Sequence, residues 1–229
     1  MTQIRHFELE LAELKRSMVS MADLVQQLMD VALATLMKPS IEARERARAL
    51  EDRLDALETA IEERCHTIIA LQSPMARDLR FLISATRITA DLEQIGDLIE
   101  SVVKRAHYIA RHTPIANPPQ VEQLALTATR MIREAMDAFV TGDLDMARRT
   151  IADEDNADAL TKECYKAIQD AMMANPASIR EYTHLLRAAS SLEQAADTAV
   201  AIAEEAVYIH KGQLVRHNHD ELRAQPRGP

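Results

Sequence analysis

Leu92-Glu93-Gln94-Ile95-Gly96-Asp97 and Leu192-Glu193-Gln194-Ala195-Ala196-Asp197 are one stretch written twice, 100 residues apart. Around the first copy, Ile88, Leu92, Ile95, Ile99, Val102, Ala106 and Ile109 step by three and four alternately. Around the second, Ala188, Leu192, Ala195, Ala199, Ile202, Ala206 and Ile209 keep the same register. With 3.6 residues per turn, that spacing returns each apolar side chain to one face of a helix. Arg80 with Arg180, Arg87 with Arg187, and Tyr108-Ile109 with Tyr208-Ile209 extend the match. A long helix present twice predicts an all-α chain of two similar halves.

The helix before each copy repeats more loosely. Glu51-Asp52-Arg53-Leu54-Asp55-Ala56-Leu57 aligns with Glu154-Asp155-Asn156-Ala157-Asp158-Ala159-Leu160. Upstream, Ile4, Phe7, Leu11, Leu14, Met18, Met21, Val25 and Leu28 form another seam. Helix breakers divide the chain at Lys38-Pro39-Ser40, Gln72-Ser73-Pro74, Thr141-Gly142-Asp143 and Asn175-Pro176, with Gly212 as a C-cap. The three prolines of Thr113-Pro114-Ile115-Ala116-Asn117-Pro118-Pro119 mark the linker between halves. The reading is therefore six long helices in two three-helix bundles, residues 1–113 and 114–212, followed by a polar tail, 213–229. The fifth helix is expected as one piece over about 144–173.

Composition agrees. Only 4 of 229 residues are Gly, 3% are aromatic and 11 are Met, so the core is aliphatic and helical. A net charge of −9 argues against binding nucleic acid, which requires clustered Lys and Arg. No apolar run reaches the roughly 20 residues of a membrane span. Two cysteines, Cys65 and Cys164, without a CxxC suit a reduced cytoplasmic protein.

The chemistry lies in carboxylates. Glu93 and Asp97 are four apart on one helical face, away from the apolar seam, and Glu193 and Asp197 repeat them. Asp52 with Asp55, and Asp155 with Asp158, lie outward on the preceding helices. If neighbouring helices face these pairs together, four carboxylates meet in each half. Oxygen donors of that kind take Mg²⁺, Mn²⁺, Ca²⁺ or iron. The alternative is a solvated face on a purely structural helical scaffold. A third reading, a ferritin-like di-iron protein, would use Glu63…His66 and Glu181…His184, but both pairs break the repeat. Arg77, Arg80 and Arg87 form a basic edge expected to pair with nearby Asp or Glu, and His217-Asn218-His219 lies in the tail. The cysteines read as small buried hydrophobes. No P-loop, GxSxG or GxGxxG occurs.

Three pieces resemble the PhoU family, the phosphate-specific transport accessory and regulatory proteins: Ser73-Pro74-Met75-Ala76-Arg77-Asp78-Leu79-Arg80, the duplicated Leu-Glu-Gln motif ending at Asp97 and Asp197, and the Asp52/Asp55 and Asp155/Asp158 pairs. The resemblance covers about residues 5–212. It implies two three-helix bundles related by a pseudo-twofold, no catalysis, and metal ions (iron, zinc, manganese or magnesium) on the eight carboxylates. It also implies a negative regulator of phosphate uptake and of the phosphate-starvation response. The partners implied are the phosphate ABC transporter's ATPase and membrane complex and a sensor histidine kinase, with room for a homodimer. The chain departs from the family pattern at Gln94 and Gln194 (Arg in the family), Leu98 and Thr198 (His), and Ser101 and Ala201 (Asn).

Overall fold

The computed structural model describes residues 2–38 and 40–212, with residues 2–5 as backbone alone. The Ile4 side chain, Pro39 and the tail 213–229, with its two histidines, lie outside the described residues. The described chain is all-helical: α1 (Thr2–Met37), α2 (Ile41–Gln72), α3 (Ala76–Arg111), α4 (Pro119–Thr141), α5 (Leu144–Ala152), α6 (Glu154–Ala174) and α7 (Ile179–Lys211), with a 3₁₀ turn at Pro176–Ser178.

Local chemistry sets the ends. Ser40 is an N-cap whose hydroxyl accepts from the Ala43 amide at 3.0 Å. Pro119 opens α4, where its missing N–H costs nothing. Gly142 (φ 74°) and Gly212 (φ 70°) close α4 and α7 in the left-handed region that glycine tolerates.

The expected fifth helix is in two pieces. The chain turns at Asp153, whose carboxylate accepts from Arg130 of α4 at 2.5 Å and from the Asn156 side chain at 3.0 Å. A carboxylate bonding its own following turn competes with helix continuation, and the α4 anchor fixes the bend.

The apolar seams are buried where the periodicity put them. Leu92, Ile95, Ile99, Leu192, Ala195 and Ala199 are all fully buried. They belong to one continuous core that also takes Leu14, Met18, Met21 and Leu28 from α1 and Met131 and Ile132 from α4. α3 and α7 form the most extensive interface. They run antiparallel: Ser84 meets Glu205, and Tyr108 meets His184. α1 and α2 pack on α3, while α4, α5 and α6 pack on α7, and α1 also touches α4. Each half thus contributes its repeated helix to a shared centre.

The basic edge divides among three kinds of partner. Arg87 pairs with Glu205 at 2.9 Å, as expected for a carboxylate, whereas Arg77 meets His210 (3.3 Å) and Arg80 donates to the Ile209 carbonyl (3.4 Å). Cys65 and Cys164 are free and buried, and burial pushes their thiols up to about 12 and about 11. The di-iron reading is not assembled: α2, which carries Glu63 and His66, makes no packing contact with α7, which carries Glu181 and His184.

Candidate cation site on the acidic helix faces

α2 and α3 lie side by side, and their outward carboxylates meet. Asp52, Asp55 and Asp97 line an open groove of about 790 Å³, together with Glu51 and Glu100. Glu93 sits half-buried one turn from Asp97. Burial first, then the charges of Asp97, Glu58, Asp55 and Glu51, hold its carboxyl above the usual carboxylate range. Burial and then Asp55, Glu100, Asp97 and Asp52 do the same to Glu51. Burial, Glu62 and Asp55 raise Glu58. All four expected residues of the first half therefore share one electrostatic patch.

Three members of that patch lie outside the sequence expectation: Glu51, Glu58 and Glu100. Glu51 had a signal, since it opens the repeated Glu-Asp-x-x-Asp motif with Glu154 as its copy. Glu100 had none, because its counterpart is Val200. The groove changes sign along its length. Arg44, Arg48, Lys104, His107 and Arg111 line its other end, and Lys104 donates to Glu100 at 2.5 Å.

In the second half, Asp197 is pushed up to about 6 by burial, then by Glu193, Asp158 and Glu154. Three of the four expected residues thus act on one another, with Glu154 in addition; Asp155 is exposed on the same helix. One oxygen of Glu193 is already engaged, accepting from the Tyr165 hydroxyl at 2.7 Å. Val200 and Thr161 stand where the first half has Glu100 and Glu58, so this cluster carries less negative charge.

Crowded carboxylates that hold their protons too tightly are relieved by a cation. The donors are oxygens only, which favours hard ions such as Mg²⁺ or Mn²⁺ over the nitrogen and sulfur set preferred by zinc. No group of three His, Cys, Asp or Glu side chains forms a ready cage among the described residues. The donor set therefore suits an ion that keeps part of its water shell, as Mg²⁺ does.

The raised carboxyl of Asp197 gives a pH signature. Its folded value exceeds that of the unfolded chain, so its contribution is fully present below about 4 and is lost as pH rises through about 6. The group is exposed, and solvent screening reduces its worth to about 1 kcal/mol at most. Asp197→Asn should therefore raise stability at pH 7.5 in chelator and flatten the loss between pH 4 and pH 7. Urea melts at three pH values check this; unchanged slopes would disprove it.

The PhoU domain family model matches residues 18–106 and again 121–206. A phosphate-specific transport system accessory protein PhoU homolog from Aquifex aeolicus is 32% identical over 210 residues, covering 92% of this chain and 95% of that protein. The accessory protein PhoU of Escherichia coli is 27% identical over 219 residues, covering 94% and 90%. The crystal structure of PhoU from Pseudomonas aeruginosa superposes with a TM-score of 0.86 at 28% identity, covering 90% of this chain and 100% of that one. The phosphate transport system regulatory protein PhoU from Streptococcus pneumoniae gives 0.83 at 28%, covering 91% and 99%.

Proposed function

The chain belongs to the PhoU domain family, and on that premise we propose that it is a regulatory accessory protein of a phosphate-specific transport system. It acts by contact, not catalysis, and in the cytoplasm. It restrains phosphate uptake and the phosphate-starvation response through the transporter's ATPase and membrane complex and a sensor histidine kinase. What carries the reading is the likeness, along both helical halves, to accessory proteins of the phosphate-specific transport system. No described helix is long and apolar enough to cross a membrane. Deleting the gene should leave alkaline phosphatase derepressed in excess phosphate. Unchanged phosphatase and uptake would end the proposal.

A divalent cation completes the reading. Glu93, Asp97, Asp52 and Asp55 would hold it on the first half, and Glu193, Asp197, Asp158 and Asp155 on the second. The cation supplies positive charge that lets the carboxylates stay ionised together. The rival is a metal-free scaffold, favoured by the lack of a ready cage among the described residues. Calorimetric titration with Mn²⁺ decides between them: Glu93→Ala or Asp97→Ala should weaken binding about tenfold or more, the loss of one charged ligand. No heat of binding, or heat unaltered in both variants, leaves the scaffold.

A further inference from the structure

The repeat brings α3 and α7 together in two equivalent crossings, one on each side of Ile95 and Ala195. In the first, the Glu205 carboxylate is 1% exposed, accepts from the Ser84 hydroxyl at 2.6 Å and from Arg87 at 2.9 Å. An offset of 100 maps Ser84, Arg87 and Glu205 onto His184, Arg187 and Arg105. The second crossing has therefore exchanged its carboxylate for a guanidinium, and the hydroxyl for an imidazole.

The structure shows the consequence. Arg105 and Arg187 act on each other as like charges, and burial and Arg187 hold the Arg105 guanidinium below its usual range. His184 is held low by burial, then by Arg105 and Arg187; Glu181 opposes them more weakly, and His112 adds to them. Arg105 Nε and His184 Nδ1 are both buried without a hydrogen-bond partner among the described residues. Arg180, Thr183, His184 and Arg187 line a surface depression of about 310 Å³. The His184 ring is fixed by stacking on Tyr108 at 3.9 Å, and Tyr108 stacks in turn on His112 at 3.9 Å.

A buried guanidinium N–H without an acceptor, beside a second guanidinium that repels it, costs free energy unless an anion joins them. We infer that the Arg105–His184–Arg187 crossing binds a phosphate oxyanion, which supplies the negative charge that Glu205 supplies in the other crossing. Guanidinium forks match the oxygens of a tetrahedral anion in pairs, which chloride cannot exploit. The anion is either free inorganic phosphate or the phosphate group of a small ester, and the depression has room for both. The inference rests on the comparison of the two crossings and not on the regulatory role.

Isothermal titration of the full chain with inorganic phosphate and with glycerol phosphate, against chloride at equal ionic strength, tests it. At least one should bind, and Arg105→Glu should weaken that binding about tenfold or more by refilling the site with a carboxylate. Arg187→Gln, at an exposed position, should weaken it in the same sense. Arg105→Glu should melt no lower than the parent, since it gives Arg187 a partner. Tighter binding of phosphate identifies the free ion as ligand, and tighter binding of the ester identifies the bound group. The His184 imidazole should titrate at higher pH with ligand present, read by NMR. No binding of either ligand above the chloride control, or binding that both variants leave intact, would overturn the inference.

Discussion

Replacing Arg87 by Met should cost the folded protein about 3 kcal/mol, at the lower end for breaking a buried ion pair. The cost arises at Glu205, not at Arg87. The arginine side chain is 42% exposed and water can solvate much of it, but its partner carboxylate is 1% exposed between α3 and α7. Without Arg87, that carboxylate keeps the Ser84 hydroxyl but loses the guanidinium charge beside it. The double variant Arg87→Met/Glu205→Met should recover most of the loss, because two apolar chains of similar length need no counter-charge. Denaturant melts of the singles and the double close the cycle. A single variant costing below about 0.5 kcal/mol, the level of an ordinary surface change, would place the pair among surface bridges.

The second large effect is expected where α2 and α3 pack closely at Gly96. The glycine allows this packing: a Cβ there would stand 2.7 Å from Leu54 Cδ1. Leu54 is fully buried, so Leu54→Ala should cost about 3 kcal/mol in lost burial and cavity. Gly96→Ala alone sets two effects in opposition. A helix-interior Ala gains about 1 kcal/mol over Gly, and crowding Leu54 costs about 1–3 kcal/mol. Once Leu54 is shortened, the crowding disappears and only the gain remains. The double variant should therefore be more stable than Leu54→Ala by about 1 kcal/mol or more. The repeat offers its own precedent, since the corresponding positions are Ala157 and Ala196, both buried. Strict additivity in the cycle would refute the coupling.

Much of this fold was legible because it is written in local terms. Ser40, Gly142, Asn175 and Gly212 stop or start helices by their own local chemistry. The seams through Leu92 and Leu192 follow from periodicity alone. The bend at Asp153 was not legible, for its anchor Arg130 comes from another helix. The same limit applies to the sites. Heptad position sees one helix at a time, so it found Glu93 and Asp97 but not Glu100, whose charge matters only because α2 lies opposite. The sequence paired Arg87 with an unspecified carboxylate, and only antiparallel packing of α3 on α7 names Glu205. The Glu181…His184 spacing alone reads His184 as half of an iron motif. Its real neighbours, Arg105 and Arg187, become visible when one crossing is laid over the other.

The central α3/α7 interface also has a consequence in time. α3 ends at Arg111 and α7 at Lys211, so the ribosome must add 100 residues between completing one and completing the other. At about 5–20 residues per second that takes about 5–20 s. Once out of the tunnel, the face of α3 that carries Ser84 and Tyr108 waits about that long for the surface made to cover it. A nascent chain in that state is a client for a holding chaperone, and it can also pair with the same half of a neighbour on the polysome. Ordering the halves in one polypeptide shortens that wait, because the second copy of the helix is already being translated behind the first.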